Sequence, residues 1–596
     1  MSDYDIIDGN GTERRDKHMK VHAVKSGNDT ILYYARSIRI GKKTTCKNIK
    51  RIGKLSELKL KYSDPVAHFK EEAKRLTAKA KADRAPFEIP QGTRVDPSSA
   101  RTVRLGYLFP QAAYYGAGLG KAMAKAAQGS KAGYDFGRIR RDLVIGRILD
   151  PLSKSSTYSL ASRFPEKPDY SLHQVYRALG LAAEHRDRIE AEAYRGRKEY
   201  ADRDTSVVYY DCTNFFFEAE EEDGFRMYGK SKENRPNPVV QMGRFLDRNG
   251  IPVSMCVHPG NTNEQLTMVP LEKERKQRFG RKKFVVCADG GLYGRKNLGY
   301  NSSPDLGFVV TKSLKKAKKE VRERLMSDTG WKRFGGEGTF SLRDAAGHEE
   351  RKDRILYKEE WFEDRGLRER VIVTYSPRLA EYQRSVRAGQ AARALERVES
   401  GRLKRKANQN DARRFVKAEY ATAEGEAAEE RSVSRDWDRF SEESRYDGFY
   451  AVSTDLEDPA EEIIRINKGR WEIEESFRIR KGEFKARPVY LSREDRIKAH
   501  FLVCYLALAV LRVIEQKLAR KGYRFTVPEI ISSLRGCNAV DRGYFYAGAM
   551  EGKAIGALED AFGLKVSYAG LGKRQVRSLL SDSKKQASPR QGKENG

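Results

Sequence analysis

The sequence predicts a multidomain chain of mixed α+β and α/β character, built around one mixed β-sheet. Three observations carry that expectation. The chain has 596 residues, well beyond the ~100–150 typical of one domain. Between 205 and 315, β-branched and aromatic runs alternate with helical stretches, whereas long helical patterns flank them. Hydrophobic residues make up 39% of the chain, enough to bury sizeable cores beneath a highly charged surface.

Residues 1–60 read as a β-rich region, since TILYYARSIRI and TTCKNIKRIG are short apolar runs between Lys- and Gly-rich turns. Residues 61–204 read as helical. Within them, YDFGRIRRDLVIGRILDPLSK has the spacing of an amphipathic helix that stops before Pro151. In residues 205–315, SVVYYDCTNFFFE, PVVQMGRFLD and IPVSMCVHPGN predict three strands, LEKERKQRF a helix and FVVCADGG a strand. GFVVTKS follows as a further strand after another helix. The first three strands pair as an antiparallel meander, and the two reached through helices extend the sheet in parallel.

Residues 316–445 are charged and irregular, with a strand at RVIVTYS and a long helix from about Leu379 to Lys417. Residues 446–520 begin with a strand at GFYAVSTD and continue as a strong helix from about Pro459 to Phe484. The apolar stretch Ala499 to Leu511 then reads as a buried core helix. Residues 521–596 form a helical region that gives way, after about Lys573, to a basic tail whose Ser-, Lys- and Gln-rich composition predicts disorder.

Lys and Arg number 116 against 84 Asp and Glu, a formal net charge of +32. That balance favours a polyanionic partner, most simply nucleic acid. Six scattered cysteines form no C-x-x-C pair, and eight histidines show no ligand spacing with them, which argues against a zinc site or a disulfide framework. MSDYDIIDGNGTERR has no apolar leader core, and no uncharged run reaches the ~18 residues of a membrane span. The expected setting is a reducing cytoplasm, on the nucleoid, with no membrane partner.

Asp211 closes the run VVYYD, and Asp289 closes FVVCAD ahead of Gly290 and Gly291. An acid at the end of a buried strand costs desolvation unless something positive sits there. Either residue alone fits the common role of an aspartate that caps a turn or a following helix. On neighbouring strand ends the two make a site for a hard divalent cation, because Mg²⁺ takes one or two carboxylates and keeps waters for substrate oxygens. The later segment IIRINKGRWEIEESFRIRKGEFK supplies a third acid. As a helix it places Arg470, Glu474 and Lys481 within roughly 40° of one another, with Asn467, Arg478 and Lys485 near the same edge. Ile466, Ile473, Phe477 and Phe484 form an apolar stripe beside them. Ordinary i,i+4 ion pairs on a wet helix face would give the same pattern. Taken together, acids at two strand ends of a mixed sheet and a glutamate on a later helix make the arrangement of an RNase H-like nuclease core. Two metal ions about 4 Å apart serve an in-line displacement at phosphorus in such a site, and the surrounding cations would hold phosphates.

On these residues the sequence resembles the bacterial insertion-sequence transposases with a DDE triad and a Y-x2-R-x3-E-x6-K signature. Arg470-x3-Glu474-x6-Lys481 fits, and Asn467 stands at the tyrosine position. DCTNFFFE around Asp211, YGKSKENR at 228–235, HPGNTNE at 258–264, VCADGGL around Asp289 and RPVY at 487–490 resemble the longer members. The resemblance runs from about residue 100 to 515. It implies an RNase H-like core interrupted by an insertion domain, for which the 474 − 289 = 185 residues between the second Asp and the Glu leave room. It further implies that Asp211, Asp289 and Glu474 are catalytic and ligate two Mg²⁺ ions, with Mn²⁺ able to substitute. Asn467, Arg470, Arg478, Lys481 and Lys485 would contact DNA, and residues 61–204 would bind the DNA ends. The implied partners are double-stranded DNA, as terminal inverted repeats and as target, and a second copy of the chain. Asn467 can hydrogen-bond a phosphate but has no stacking face, which leaves hairpin and non-hairpin cleavage both open. Two rivals remain in view. One is a phosphatase with Asp211 as nucleophile, although Thr213 stands where D-x-D-x-T needs its second acid and the strand order is wrong for it. The other is a catalytically inactive, transposase-derived DNA-binding protein.

Overall fold

The structure is a computed structural model that describes the chain apart from residues 1–18, 28, 41–42, 83–100, 131, 201–203, 230–235, 280–283, 293, 343–354, 365, 401–410, 422–426, 471–488, 543–544 and 586–596. It divides into two compact units. One comprises Met1–Arg101, Asp541–Ala547 and Ala569–Gln575, and the other the remainder.

In the first unit, β1 (Met19–Ser26), β2 (Asp29–Ile40) and β3 (Lys43–Lys54) form an antiparallel sheet in that order, followed by α1 (Leu55–Lys59) and α2 (Pro65–Ala82). Strand alternation puts Leu32 and Tyr34 on one face, where they meet Phe69 and Ala73, one helical turn apart on α2. The strands expected between 18 and 60 are therefore present.

The second unit begins within the short strand β4 (Arg101–Val103). Its helical part comprises α3 (Leu108–Gly116), α4 (Leu119–Ala127), α5 (Phe136–Leu149), α6 (Lys154–Leu160), α7 (Leu172–Glu184) and α8 (Arg186–Tyr200). Asp135 caps α5 by accepting from the Arg138 N–H at 2.9 Å, and the helix ends before Pro151, as the sequence predicts. It is not amphipathic in place, however. Twelve of its residues are buried, the charged Arg140, Arg141, Asp142 and Arg147 among them. The surrounding helices supply partners for part of that charge: Asp142 accepts from Tyr107 Oη at 2.7 Å, Tyr170 Oη at 2.9 Å and Arg141 Nε at 3.0 Å.

The sheet begins with β5 (Val207–Phe216), β6 (Val239–Asp247) and β7 (Pro252–Pro259), then α9 (Met268–Phe279), β8 (Phe284–Ala288), α10 (Arg295–Asn301) and β9 (Leu306–Lys312). The first three strands are mutually antiparallel. β8 runs parallel to β5, and β9 parallel to β8. This is the order and direction that the alternation of strands and helices predicts. The chain continues through α11 (Lys319–Leu325), β10 (Trp331–Arg333), β11 (Thr339–Phe340), β12 (Leu356–Asp364), β13 (Leu367–Tyr375) and α12 (Pro377–Glu399). A separate hairpin of β14 (Val416–Ala421) and β15 (Ala427–Arg435), then α13 (Trp437–Ser444) and β16 (Phe449–Thr454), complete it. The ten-stranded order is β11-β10-β12-β13-β16-β9-β8-β5-β6-β7, so β10–β13, from within 316–445, extend the same sheet through β16. The helix expected to reach Lys417 stops at Ser400, and the chain re-emerges as β14.

Among the described residues, four helices follow β16 and α14 (Ala460–Lys468): α15 (Glu494–Arg520), α16 (Val527–Gly536), α17 (Ile555–Phe562) and α18 (Lys573–Lys584). α15 is apolar and long enough to cross a membrane, yet 94% of its apolar window is buried inside the fold, which is the core helix the sequence predicts. It lies against α3, α5, α7 and β7. The Phe501 and Phe215 rings pack at a tilt with centroids 4.8 Å apart, and Tyr505 Oη donates to the Val253 carbonyl at 2.9 Å. The tail expected to be disordered from Lys573 is helical as far as Lys584. Val576 and Ser583 are buried, and Ser583 donates to Gln111 Oε1 at 3.0 Å. Residues 586–596 lie outside the described residues.

Candidate active site

Strand register builds the site. The last parallel pair between β5 and β8 is Tyr210 with Ala288, so Asp211 and Asp289 come next on two strands that run about 4.8 Å apart. Alternation sets their face. Val208, Tyr210 and Cys212 point into the cluster that includes Met268 and Leu271 of α9 and Leu298 of α10, so Asp211 and Asp289 share the opposite face. β9 continues the row: Val310 pairs with Ala288, which leaves Thr311 beside Asp289. On the other side β6 puts the buried Arg244 opposite Asp211. Asp211 is not at the end of its own strand, as expected from sequence, because β6 carries β5 on to Phe216. It lies at the end only of the β5–β8 ladder, and it is half-buried. Asp289 does end β8, and its side chain is 59% exposed.

Local hydrogen bonds fix both carboxylates. Asp211 Oδ1 accepts from the Cys212 N–H at 2.8 Å, and Asp289 Oδ1 from the Gly290 N–H at 2.6 Å. Gly290 has to be small, since a Cβ there would lie 2.9 Å from the Thr311 carbonyl oxygen.

α14 delivers the next functional group. Tyr209 Oη donates to the Ile466 carbonyl at 3.0 Å, seating the C-terminal end of α14 over the row. Gly469 permits that approach, because a Cβ would come within 2.2 Å of Tyr209 Oη. Arg470 follows. Its guanidinium lies 3.5 Å from Asp289 Oδ1, donates to Thr311 Oγ1, and reaches Tyr450 Oη at 3.4 Å. The Thr311 and Tyr450 hydroxyls are themselves 2.8 Å apart. Burial pushes the neighbouring Cys287 thiol up to about 12, with Arg470 only partly opposing the shift.

Of the residues singled out from sequence, the structure brings Asp211, Asp289 and Arg470 together. Asn467 is 8% exposed, turned into the protein, and its Oδ1 has no hydrogen-bond partner among the described residues. Glu474, Arg478, Lys481 and Lys485 lie outside the described residues. Among those described, no group of three or more His, Cys, Asp or Glu side chains could hold a metal ion. Arg244, Thr311 and Tyr450 went unnoticed in the sequence. Thr311 had a signal, the same strand-end position in GFVVTKS that Asp289 has in FVVCAD. Tyr450 had none, since it arrives from a strand 139 residues away.

Carboxylates paired on adjacent strands of a mixed sheet, with a guanidinium over them, make a site suited to phosphodiester chemistry. The match to known families agrees: the model of the transposase DDE domain covers residues 203–510, just over half the chain, and the protein belongs to that family. Among solved structures, the piggyBac transposase synaptic complex with hairpin DNA is similar at 8% identity and a TM-score of 0.36, over 81% of this chain and 87% of that one. No curated protein matches the sequence.

Proposed function

We propose that the protein is a cut-and-join enzyme for the insertion sequence that encodes it. It binds the terminal inverted repeats, pairs them as a homodimer, cleaves the DNA and joins the freed 3′ end to target DNA on the nucleoid. The strand order β7-β6-β5-β8-β9 supports an RNase H-like core, with the insertion lying between Asp289 and Glu474. The observation that carries the reading is the shared register of Asp211 and Asp289 beneath Arg470.

Hard carboxylate oxygens on neighbouring strands fit Mg²⁺, or Mn²⁺ in its place. Asp211 and Asp289, with Glu474, would hold the ions. When bound, such ions lower the pKa of an attacking water or hydroxyl and neutralise the leaving oxygen. The chain's own cations do the rest. Arg470 donates to a non-bridging phosphate oxygen beside Asp289, and Arg478, Lys481 and Lys485 with Asn467 hold the DNA end. Non-ligand contacts of this kind supply most of the affinity, because phosphate neutralisation dominates DNA binding. Asp211→Ala, Asp289→Ala and Glu474→Ala should therefore abolish cleavage and leave end binding intact, as read by gel shift and cleavage on the same preparations. Full cleavage by any of the three, or by the wild type in chelator, overturns that assignment.

A further inference from the structure

The N-terminal strands carry an unusual charge pattern. Between Met19 and Lys54 the sequence holds ten Lys and Arg and a single acid, Asp29. That acid is engaged at the β1–β2 turn, where it accepts from the Thr30 N–H at 2.7 Å and from the Ser56 hydroxyl. Surfaces that serve only solubility intersperse both signs, and these strands do not; by register Lys20, Arg51 and Lys54 fall on the face opposite α2.

Register sorts the side chains. The face bearing Met19, Val21, Leu32 and Tyr34 is covered by α2. The opposite face carries two cross-strand rows, Lys20 with Ala35 and Asn48, and His22 with Tyr33 and Arg51. Lys20, Asn48 and Arg51 are exposed, His22 and Tyr33 are half-exposed, and Ala35 is buried between Lys20 and Asn48. His22 Nδ1 lies 2.8 Å from Asn48 Oδ1, which ties two planar hydrogen-bonding groups together in the middle of the face.

Resting on the reading of the chain as a DNA-processing enzyme, we propose that this face docks on duplex DNA at the element's ends, with the sheet entering the major groove. Strands are an established means of reading a groove, and side chains that stand up from a sheet face can reach base edges in a major groove about 12 Å wide. Asn48 and Arg51 are of the two types that bond purine edges in pairs of hydrogen bonds. Lys20 serves as a point charge for phosphate, and the near absence of acid leaves nothing to repel the backbone on either side.

The test uses the full-length protein and two double variants of equal charge loss. Lys20→Ser/Arg51→Ser alters the face, and Lys61→Ser/Lys70→Ser alters exposed lysines away from it. Binding is followed by fluorescence anisotropy on a duplex cut from the DNA flanking the gene and on a scrambled duplex, across a salt series. The face pair is expected to weaken binding about ten- to a hundredfold and to lower the slope of log affinity against log salt by about one per lost phosphate contact. The control pair should stay within about twofold of wild type, a change under 0.5 kcal/mol. Asn48→Ala should reduce the preference for the flanking duplex over the scrambled one. Equal losses in the two pairs, or wild-type binding by the face pair, overturn the proposal. So does loss confined to single-stranded RNA or anionic vesicles. Should the serine pair lower the melting temperature, Lys20→Gln/Arg51→Gln keeps side-chain length and is read in the same way. Asp211→Ala separates the two readings: if the wild type fails to cleave, or this variant still cleaves, the catalytic assignment falls while the binding comparison stands.

Discussion

Arg470 is held by groups that are not themselves charged partners. Thr311 Oγ1 and Tyr450 Oη bond to each other and to the guanidinium, so the hydroxyl pair aims a cation whose ion-pair partner, Asp289, is more than half exposed. A hydrogen bond to a charged group contributes about 1.5–3 kcal/mol when its partner is lost from a buried setting, and about 1.4 kcal/mol is tenfold in rate. Thr311→Val is therefore expected to slow cleavage about tenfold while DNA affinity holds, and Thr311→Ser to restore the rate. Tyr450→Phe should act in the same direction and less strongly, because its contact is the longer. The double-mutant cycle is decisive: residues that act through one another are non-additive. If Thr311→Val slows the Arg470→Ala enzyme by the same factor as the wild type, Thr311 does not work through the arginine.

At the scale of elements, the placement of Arg470 depends on how closely α14 approaches β5. Gly469→Ala would drive a methyl into Tyr209 Oη, a buried side chain already committed to the Ile466 carbonyl. Overpacking of this kind costs about 1–3 kcal/mol, so both the melting temperature and the cleavage rate should fall. Unchanged values for both would show that α14 does not need this seat. The elements were unequally legible in the sequence. β5 to β9 could be read because alternating apolar residues and short links dictate their order locally, and the two aspartates stood out as acids closing apolar runs. α5 could not be read correctly. Its charges look like a wet face until Tyr107 and Tyr170, on other elements, converge on Asp142. α18 was lost for a similar reason, since its composition is that of a disordered tail and the buried Ser583 meets Gln111, 472 residues away. Tyr450 belongs to the same class. What the sequence hides is side-chain partnership across long separations, and the row of Asp211, Asp289 and Thr311 was open to reading because backbone register alone assembles it.

Over the whole second unit, α15 packs against both the helical layer and β7 of the sheet, and a buried amine lies beside it. Lys154 of α6 is 5% exposed and lies 3.1 Å from His500 Nδ1 on α15. Arg147 and Arg140 of α5 face it as well, and the Cys504 thiol of α15 is the remaining titratable neighbour. Burial, and then Arg147, hold the Lys154 ammonium well below its ordinary 10.5, with Cys504 opposing. Burial also pushes the adjacent Arg140 down to about 10. The sign follows by linkage. Between its depressed native value and 10.5 the unfolded chain binds a proton at Lys154 that the folded protein does not, so stability rises with pH across that window. Removing the amine should therefore help most where protonation costs most. Lys154→Met, close in volume and apolar, is expected to raise the melting temperature at neutral pH, and the advantage over wild type should shrink as pH climbs toward 10.5. Melting curves of the two proteins in parallel from about pH 6 to about pH 9.5 read this directly, because the difference cancels every titration they share. A difference that is flat with pH would mean that Lys154 keeps its charge inside the fold. A variant less stable throughout would mean that the contact with His500 contributes more than the buried amine costs.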